Sequence, residues 1–113
     1  MSILSECKSI LDSLSLPVES GIFHDAAPNQ YAVLVPLSDT FSLYSDNLPC
    51  LNIEEVRISL YSKENFLTLK TRILKALISA DFTITDKRYL EYESESGYHH
   101  YAIDVAKYYE WEE

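Results

Sequence analysis

The sequence predicts an α+β domain: a mostly antiparallel sheet with two helices, the longer packed across one face. Three observations carry this. An amphipathic stripe of about four turns runs from Phe66 to Ala80, a cleanly alternating strand covers Val56 to Tyr61, and two β-rich runs flank "ESG" near the C-terminus. At 113 residues the chain has room for one core, so residues 1–113 are read as a single domain.

Ile3, Cys7, Ile10, Leu11 and Leu14 recur at three and four residues, the one-sided pattern of a short helix that Pro17 stops. "VESGIFHDAAPNQY" lacks periodicity and holds Gly21, Pro28 and Asn29, so it reads as a connection. "YAVLVPL" follows as a strand, with Tyr31, Val33, Val35 and Leu37 on one side and Ala32 and Leu34 on the other. Both faces are expected to be largely buried, with Pro36 marking an edge or bulge. The Ser- and Asp-rich stretch Ser38 to Asn52 favours turns and is expected to be a polar loop, with one further strand left open between Leu37 and Glu54. In "EEVRISLYS", Val56, Ile58 and Leu60 alternate with Arg57, Ser59 and Tyr61, giving a half-buried strand.

Ser62 is the predicted N-cap of the main helix, with Glu64 in its first turn. Phe66, Leu69, Ile73, Leu77 and Ala80 form its stripe, and Lys70, Arg72 and Lys75 lie toward water. The two last β-rich runs, joined at "ESG", fit a hairpin.

Composition excludes several function classes. Nine bases against 18 acids leave a net charge of -9, which repels a phosphate backbone unless bases cluster. The longest grouping is Lys70, Arg72 and Lys75, and Lys87-Arg88 is only a pair. There is no GxGxxG or GxxxxGK[ST], so the common nucleotide cradles are missing. Cys7 and Cys50 stand far apart without CxxC or finger spacing, which signals neither zinc nor a disulfide scaffold. "MSILSECKSILDSL" is too polar for a signal peptide and no run is long enough to span a membrane, so a cytosolic origin is expected.

"YHHYAIDVAKYYEW" is the stretch that most resembles chemistry. Neutral imidazole is a common metal ligand, but adjacent strand residues point to opposite faces, so His99 and His100 do not chelate one ion together. Asp104, the next acid on the face of His100, is about 13 Å along the strand. His24 and Asp25 lie in the connection, and no spacing joins them to the pair. Glu91, Glu93 and Glu95 alternate as a solvated charged face rather than a general acid/base pair. No GxSxG frames a nucleophile. Catalytic, metal and cofactor roles are therefore not expected. The chain holds nine tyrosines, and Tyr98, Tyr101, Tyr108, Tyr109 and Trp111 crowd the last strand, with Tyr44 and Tyr61 elsewhere. Half of these point into the core as β-formers, and the rest, beside acids, have the composition of a protein–protein interface.

The order of these signals resembles the small tail terminator, or tail-completion, proteins of long-tailed bacteriophages. The residues that carry the resemblance are a short N-terminal helix, "PVESGIF", a first strand, a polar loop with "YSDN", "VRISLYSKE" running into a helix, and a closing hairpin with "YHHYAIDVAKYY". The resemblance implies a non-enzymatic virion component of phage or prophage origin. It would form a six-subunit ring on the tail tube at the tail–head junction, assembled in the host cytoplasm. Its partners would be itself, the tail tube protein and a head-completion or connector protein. DNA would pass through without specific binding, past an acidic lumen.

On this reading Tyr44, Ser45, Asp46 and Asn47 form an inter-subunit or tube-facing element, and Tyr98, His100, Tyr108 and Trp111 an interface on the last hairpin. Two alternatives stand beside it: another head–tail connector or neck protein, or a small protein-binding domain with an aromatic sheet face.

Overall fold

Ser2 starts helix α1 (Ile3–Ser13) with a reciprocal cap: its hydroxyl accepts from Ser5 N at 3.2 Å, and Ser5 Oγ accepts from Ser2 N at 3.3 Å. The computed structural model describes residues 2–19, 29–45 and 48–110, with side chains for 2–18, 29–39 and 51–110. The remaining elements are β1 (Val18–Glu19), β2 (Gln30–Ser45), β3 (Leu48–Ser62), α2 (Phe66–Ser79), β4 (Thr83–Glu93) and β5 (Tyr98–Glu110). The strands form a five-stranded sheet in the order β1-β2-β3-β5-β4. All pairings are antiparallel except β1 with β2, so the α+β class read from the sequence holds.

One face of the sheet carries the core. Ala32, Leu34, Val56, Ile58, Leu60, Tyr101, Ile103 and Val105 meet Ile3, Cys7 and Leu11 of α1 and Leu69, Ile73 and Leu77 of α2 in a single apolar cluster. The period of 2 in the strands and of 3.6 in the helices point at the same layer.

Four local expectations change. First, β2 is buried on one face only: Ala32 and Leu34 are buried, while Val35 and Leu37 are each 41% exposed, with no helix of the described residues on their side of the sheet. Pro36 does sit at an irregularity, since the register slips between Pro36 and Ser38. Second, "VESG" does not begin as a connection, because Val18 and Glu19 pair in parallel with Ala32 and Val33.

Third, the expected polar loop Ser38–Asn52 is mostly strand. β2 continues to Ser45 and β3 begins at Leu48, with pairs such as Thr40 to Ile53, Ser42 to Leu51 and Tyr44 to Pro49. Ladder hydrogen bonds across a long hairpin outweigh the turn preference of scattered Ser and Asp.

Fourth, α2 is capped by Asn65, whose side chain accepts from Leu67 N at 3.1 Å, and Glu64 precedes the helix. Ser62 is instead the last residue of β3 and is fully buried. Its hydroxyl accepts from Gln30 Nε2 at 3.0 Å and from Glu64 N at 3.1 Å. The hairpin between β4 and β5 closes as predicted, with Gly97 at φ 81 and its N–H donating to Glu93 O at 2.7 Å.

Candidate functional site: the sheet face away from the helices

The odd-numbered side chains of the first half of β2 and of β3 point away from the helices, as do the even-numbered ones of β5. Register lines up Tyr31 with Tyr61 and Tyr61 with His100 across three strands. The rings follow that line. Tyr31 and Tyr61 stack at 4.8 Å between centroids, and Tyr61 and His100 stack at 4.3 Å with planes 17° apart. Tyr98 meets Tyr31 and Tyr61 edge-on at 5.4 and 6.2 Å, and Lys63 Nζ lies 4.8 Å from its centroid. Glu91 stands opposite His100 and Glu93 opposite Tyr98 in the β4–β5 pairing, so the aromatic row has an acidic border.

Two residues further along β3 lies Ser59, and then Arg57, paired with Asp104. Arg57 Nε donates to Oδ1 at 2.8 Å and Nη2 to Oδ2 at 3.1 Å, a two-pronged bond that holds the guanidinium flat on the sheet.

The electrostatics follow from this layout. Burial pushes the Tyr31 and Tyr61 hydroxyls above their usual range, and the carboxylates of Glu93 and, for Tyr61, Glu91 add to the shift. Burial depresses the His100 imidazole, against an opposing pull from Glu93 and Glu91, so His100 is neutral at pH 7. Its Nε2 is buried and has no hydrogen-bond partner among the described residues. Hydrogen bonding to Asp104 raises Arg57 further.

The two histidines part as strand geometry requires. His99 faces the helix side, where its ring packs on Phe66 at 5.1 Å and Tyr92 at 4.8 Å and its Nδ1 lies 3.0 Å from the Tyr89 hydroxyl. Of the predicted interface residues, the structure brings Tyr98 and His100 together and leaves Tyr108 apart and 56% exposed. Tyr98 is not a surface residue: neighbouring rings and Lys63 bury it to 6% exposure. Tyr44 and Ser45 lie in the last turn-proximal part of β2, with their side chains outside the described set. Asp46, Asn47 and Trp111 lie outside the described residues, as do His24 and Asp25.

Sequence reasoning missed Tyr31 as a partner of Tyr61 and missed the Arg57–Asp104 pair, because both depend on which strands are neighbours. It also missed a polar cluster on the helix side. There Lys107 Nζ reaches Glu6 Oε1 at 3.3 Å and Ala80 O at 3.0 Å, and the Tyr109 hydroxyl donates to Glu6 Oε2. That cluster ties α1 and the end of α2 to β5. Cys7 lies in the same region, and burial pushes its thiol up to about 12, so it is an inert core residue.

Among the described residues no three His, Cys, Asp or Glu side chains converge on a metal-sized site, and no helix is long and apolar enough to cross a membrane. A groove of about 650 Å³ beside α1, lined by Leu4, Lys8, Leu34 and Pro36 among others, has one cation and no acid or histidine among its described lining residues. The face turned away from the helices thus presents the half-buried rings of Tyr31, Tyr61 and His100 beside exposed Glu91 and Glu93, while Ser59, Tyr98, Ala102 and Asp104 on it are buried. No protein-family model matches the chain, and no match was found among curated proteins.

Proposed function

We propose that the protein is a structural assembly component that works as a homo-oligomer. The resemblance to phage tail terminators makes a ring on the tail tube, at the junction with the head, the specific form of this reading. One observation carries it: the β2–β3 hairpin extends well past the part of the sheet that the helices cover. Val56, Ile58 and Leu60 are completely buried, whereas Leu51 to Glu55, further out on the same strand, are only half-buried. The molecule is correspondingly long, 55 × 28 × 24 Å. A monomeric domain gains little from an arm of this kind, and an interface between subunits gains contact area.

In this role the protein performs no chemistry. The arm and the aromatic face engage neighbouring copies, the tail tube protein and the head-completion or connector protein, and the acidic surface lets DNA pass without adhering. Light scattering after size exclusion, with negative-stain imaging, tests it. Closed rings of the chain, alone or on purified tail tubes, are the expected result. A monomer at all concentrations that leaves tube ends bare overturns the proposal.

The aromatic row of Tyr31, Tyr61 and His100 favours a second reading, a small binding domain that captures a different protein on its sheet face. A strict monomer that loses a partner on Tyr61→Ala would support it.

A further inference from the structure

The charges of this chain are segregated along its length. No Lys or Arg occurs between Lys8 and Arg57, and the stretch from Pro36 to Val56 contains Asp39, Asp46, Glu54 and Glu55 with no base of its own, although Lys107 of β5 stands opposite Glu54 and Ile3 N donates to Glu54 Oε1. The segment from Lys63 to Arg88 is the reverse, with six bases against Glu64, Asp81 and Asp86. In a protein of net charge -9 this places a basic flank on α2 and the start of β4, before Glu91 and Glu93, and an acidic arm elsewhere.

The flank has the features of a contact surface. α2 contains no acid, and Arg72 and Lys75 are exposed on it together with Leu67 at 55% and Ile78 at 61%. Between the end of α2 and β4 runs a groove of about 420 Å³, lined by Leu74, Ile78, Ile84, Thr85, Asp86 and Lys87. Asp86, the one acid in it, is already engaged by Arg88, whose Nε donates to Oδ2 at 2.9 Å, so it does not cancel Lys87 and Lys75. Among the described residues no strand pairs with the outer edge of β4.

The arm is long enough to span the whole of α2. Nine residues of β2 lie beyond the slip at Pro36, roughly 30 Å of strand, against about 21 Å for the 14 residues of α2.

We propose that copies of this chain join head to tail, with the acidic β2–β3 arm of one copy seated along the basic α2–β4 flank of the next. The inference rests on the oligomeric reading above and names its contact. Because the two surfaces differ, the contact is heterologous, and it closes into a ring when the rotation between neighbours divides a full turn. Opposite charges on arm and flank favour this register over arm-to-arm or flank-to-flank contacts, both of which bring like charges together.

Three measurements on the whole chain test it. Size exclusion with light scattering compares the wild type, the flank variant Arg72→Glu/Lys75→Glu, the arm variant Asp39→Lys/Glu55→Lys, and the combined swap. Each single-surface variant is expected to need about tenfold or more protein to assemble, and the swap, which restores opposite charges, to regain assembly.

Carbodiimide coupling of mixed isotope-labelled and unlabelled wild-type protein reads the contact without any substitution. The expected products join an arm carboxylate of one copy to Lys70, Lys75 or Lys87 of another. The third measurement is binding of a single-stranded DNA oligonucleotide.

A wild-type chain that never assembles removes the oligomeric reading and this contact with it. Wild-type assembly that the flank variant leaves unchanged, with no arm-to-flank coupling products, overturns this contact alone. Oligonucleotide binding abolished by Arg72→Glu/Lys75→Glu, with assembly intact, also overturns it and assigns the flank to phosphate.

Discussion

The two faces of β3 put the same backbone to different uses. Toward the helices, Val56, Ile58 and Leu60 have no exposed surface and meet the apolar stripes of α1 and α2. Toward the open side, Arg57, Ser59 and Tyr61 alternate with them and are held by an ion pair, close packing and ring stacking. The first face is stabilised by removal of apolar area from water and by dense contact, which tolerates no missing volume. The second mixes half-buried Arg57 and Tyr61 with Ser59, which is buried at 7% exposure, and is held by directed contacts rather than by a dense apolar layer.

Breaking the covered face is expected to have the largest effect. Leu60→Ala leaves a cavity between β3 and the helices and should cost about 2–5 kcal/mol in urea unfolding, a large part of the stability of a domain this size. A loss under about 1 kcal/mol would mean that this face is not the main source of stability.

Tyr61→Leu keeps the size and burial of an apolar side chain while removing the central ring of the stack. The expected cost is about 0.5–1.5 kcal/mol, clearly below that of Leu60→Ala. Equal costs would erase the distinction between the faces.

His100 sharpens the comparison through pH. Its folded-state affinity for a proton is depressed by burial beside Tyr61, despite Glu91 and Glu93, and Arg57 adds to the depression. The folded protein therefore binds fewer protons than the unfolded chain, so this group lowers stability as pH falls below about 6.5 and has no such effect above it. Wild type should lose more stability between pH 7.5 and pH 5 than His100→Gln does, measured by the difference of the two unfolding curves. Parallel pH profiles would place His100 in contact with water.

The smallest effect is expected at the exposed edge of the helix side. Tyr89→Phe removes only the bond to His99 Nδ1, and Tyr89 is 44% exposed, so the loss should not exceed about 0.5 kcal/mol.

Elements with strong periodicity were legible. The stripes Ile3–Cys7–Leu11 and Leu69–Ile73–Leu77 and the alternation Val56–Ile58–Leu60 all face the core as their spacing requires. The separation of His99 from His100 was legible for the same reason. The hairpin from Ser38 to Leu51 was not, because its Ser, Asp and Asn residues carry turn preferences and its strand character comes from cross-strand pairing, from Ser45 with Leu48 out to Ser38 with Glu55. The cap of α2 was displaced from Ser62 to Asn65 because β3 runs two residues past Leu60, and burial of the Ser62 hydroxyl committed it to Gln30 and Glu64. For the candidate site, the aromatic richness of β5 was visible, but Tyr98 turned inward once Tyr31, Tyr61 and Lys63 surrounded it.

By itself the sequence determined the α+β class, the helix stripes, the faces of β3 and β5, and the acidic balance, all of which depend on local spacing or composition. Only the tertiary structure decided which strands are neighbours, and with that the row from Tyr31 through Tyr61 to His100, the Arg57–Asp104 pair and the reach of the β2–β3 arm. The physical reason is that hydrophobic periodicity is read over a few residues, whereas register joins positions separated by 30 to 47 residues, as Tyr31 is from Tyr61 and Arg57 from Asp104.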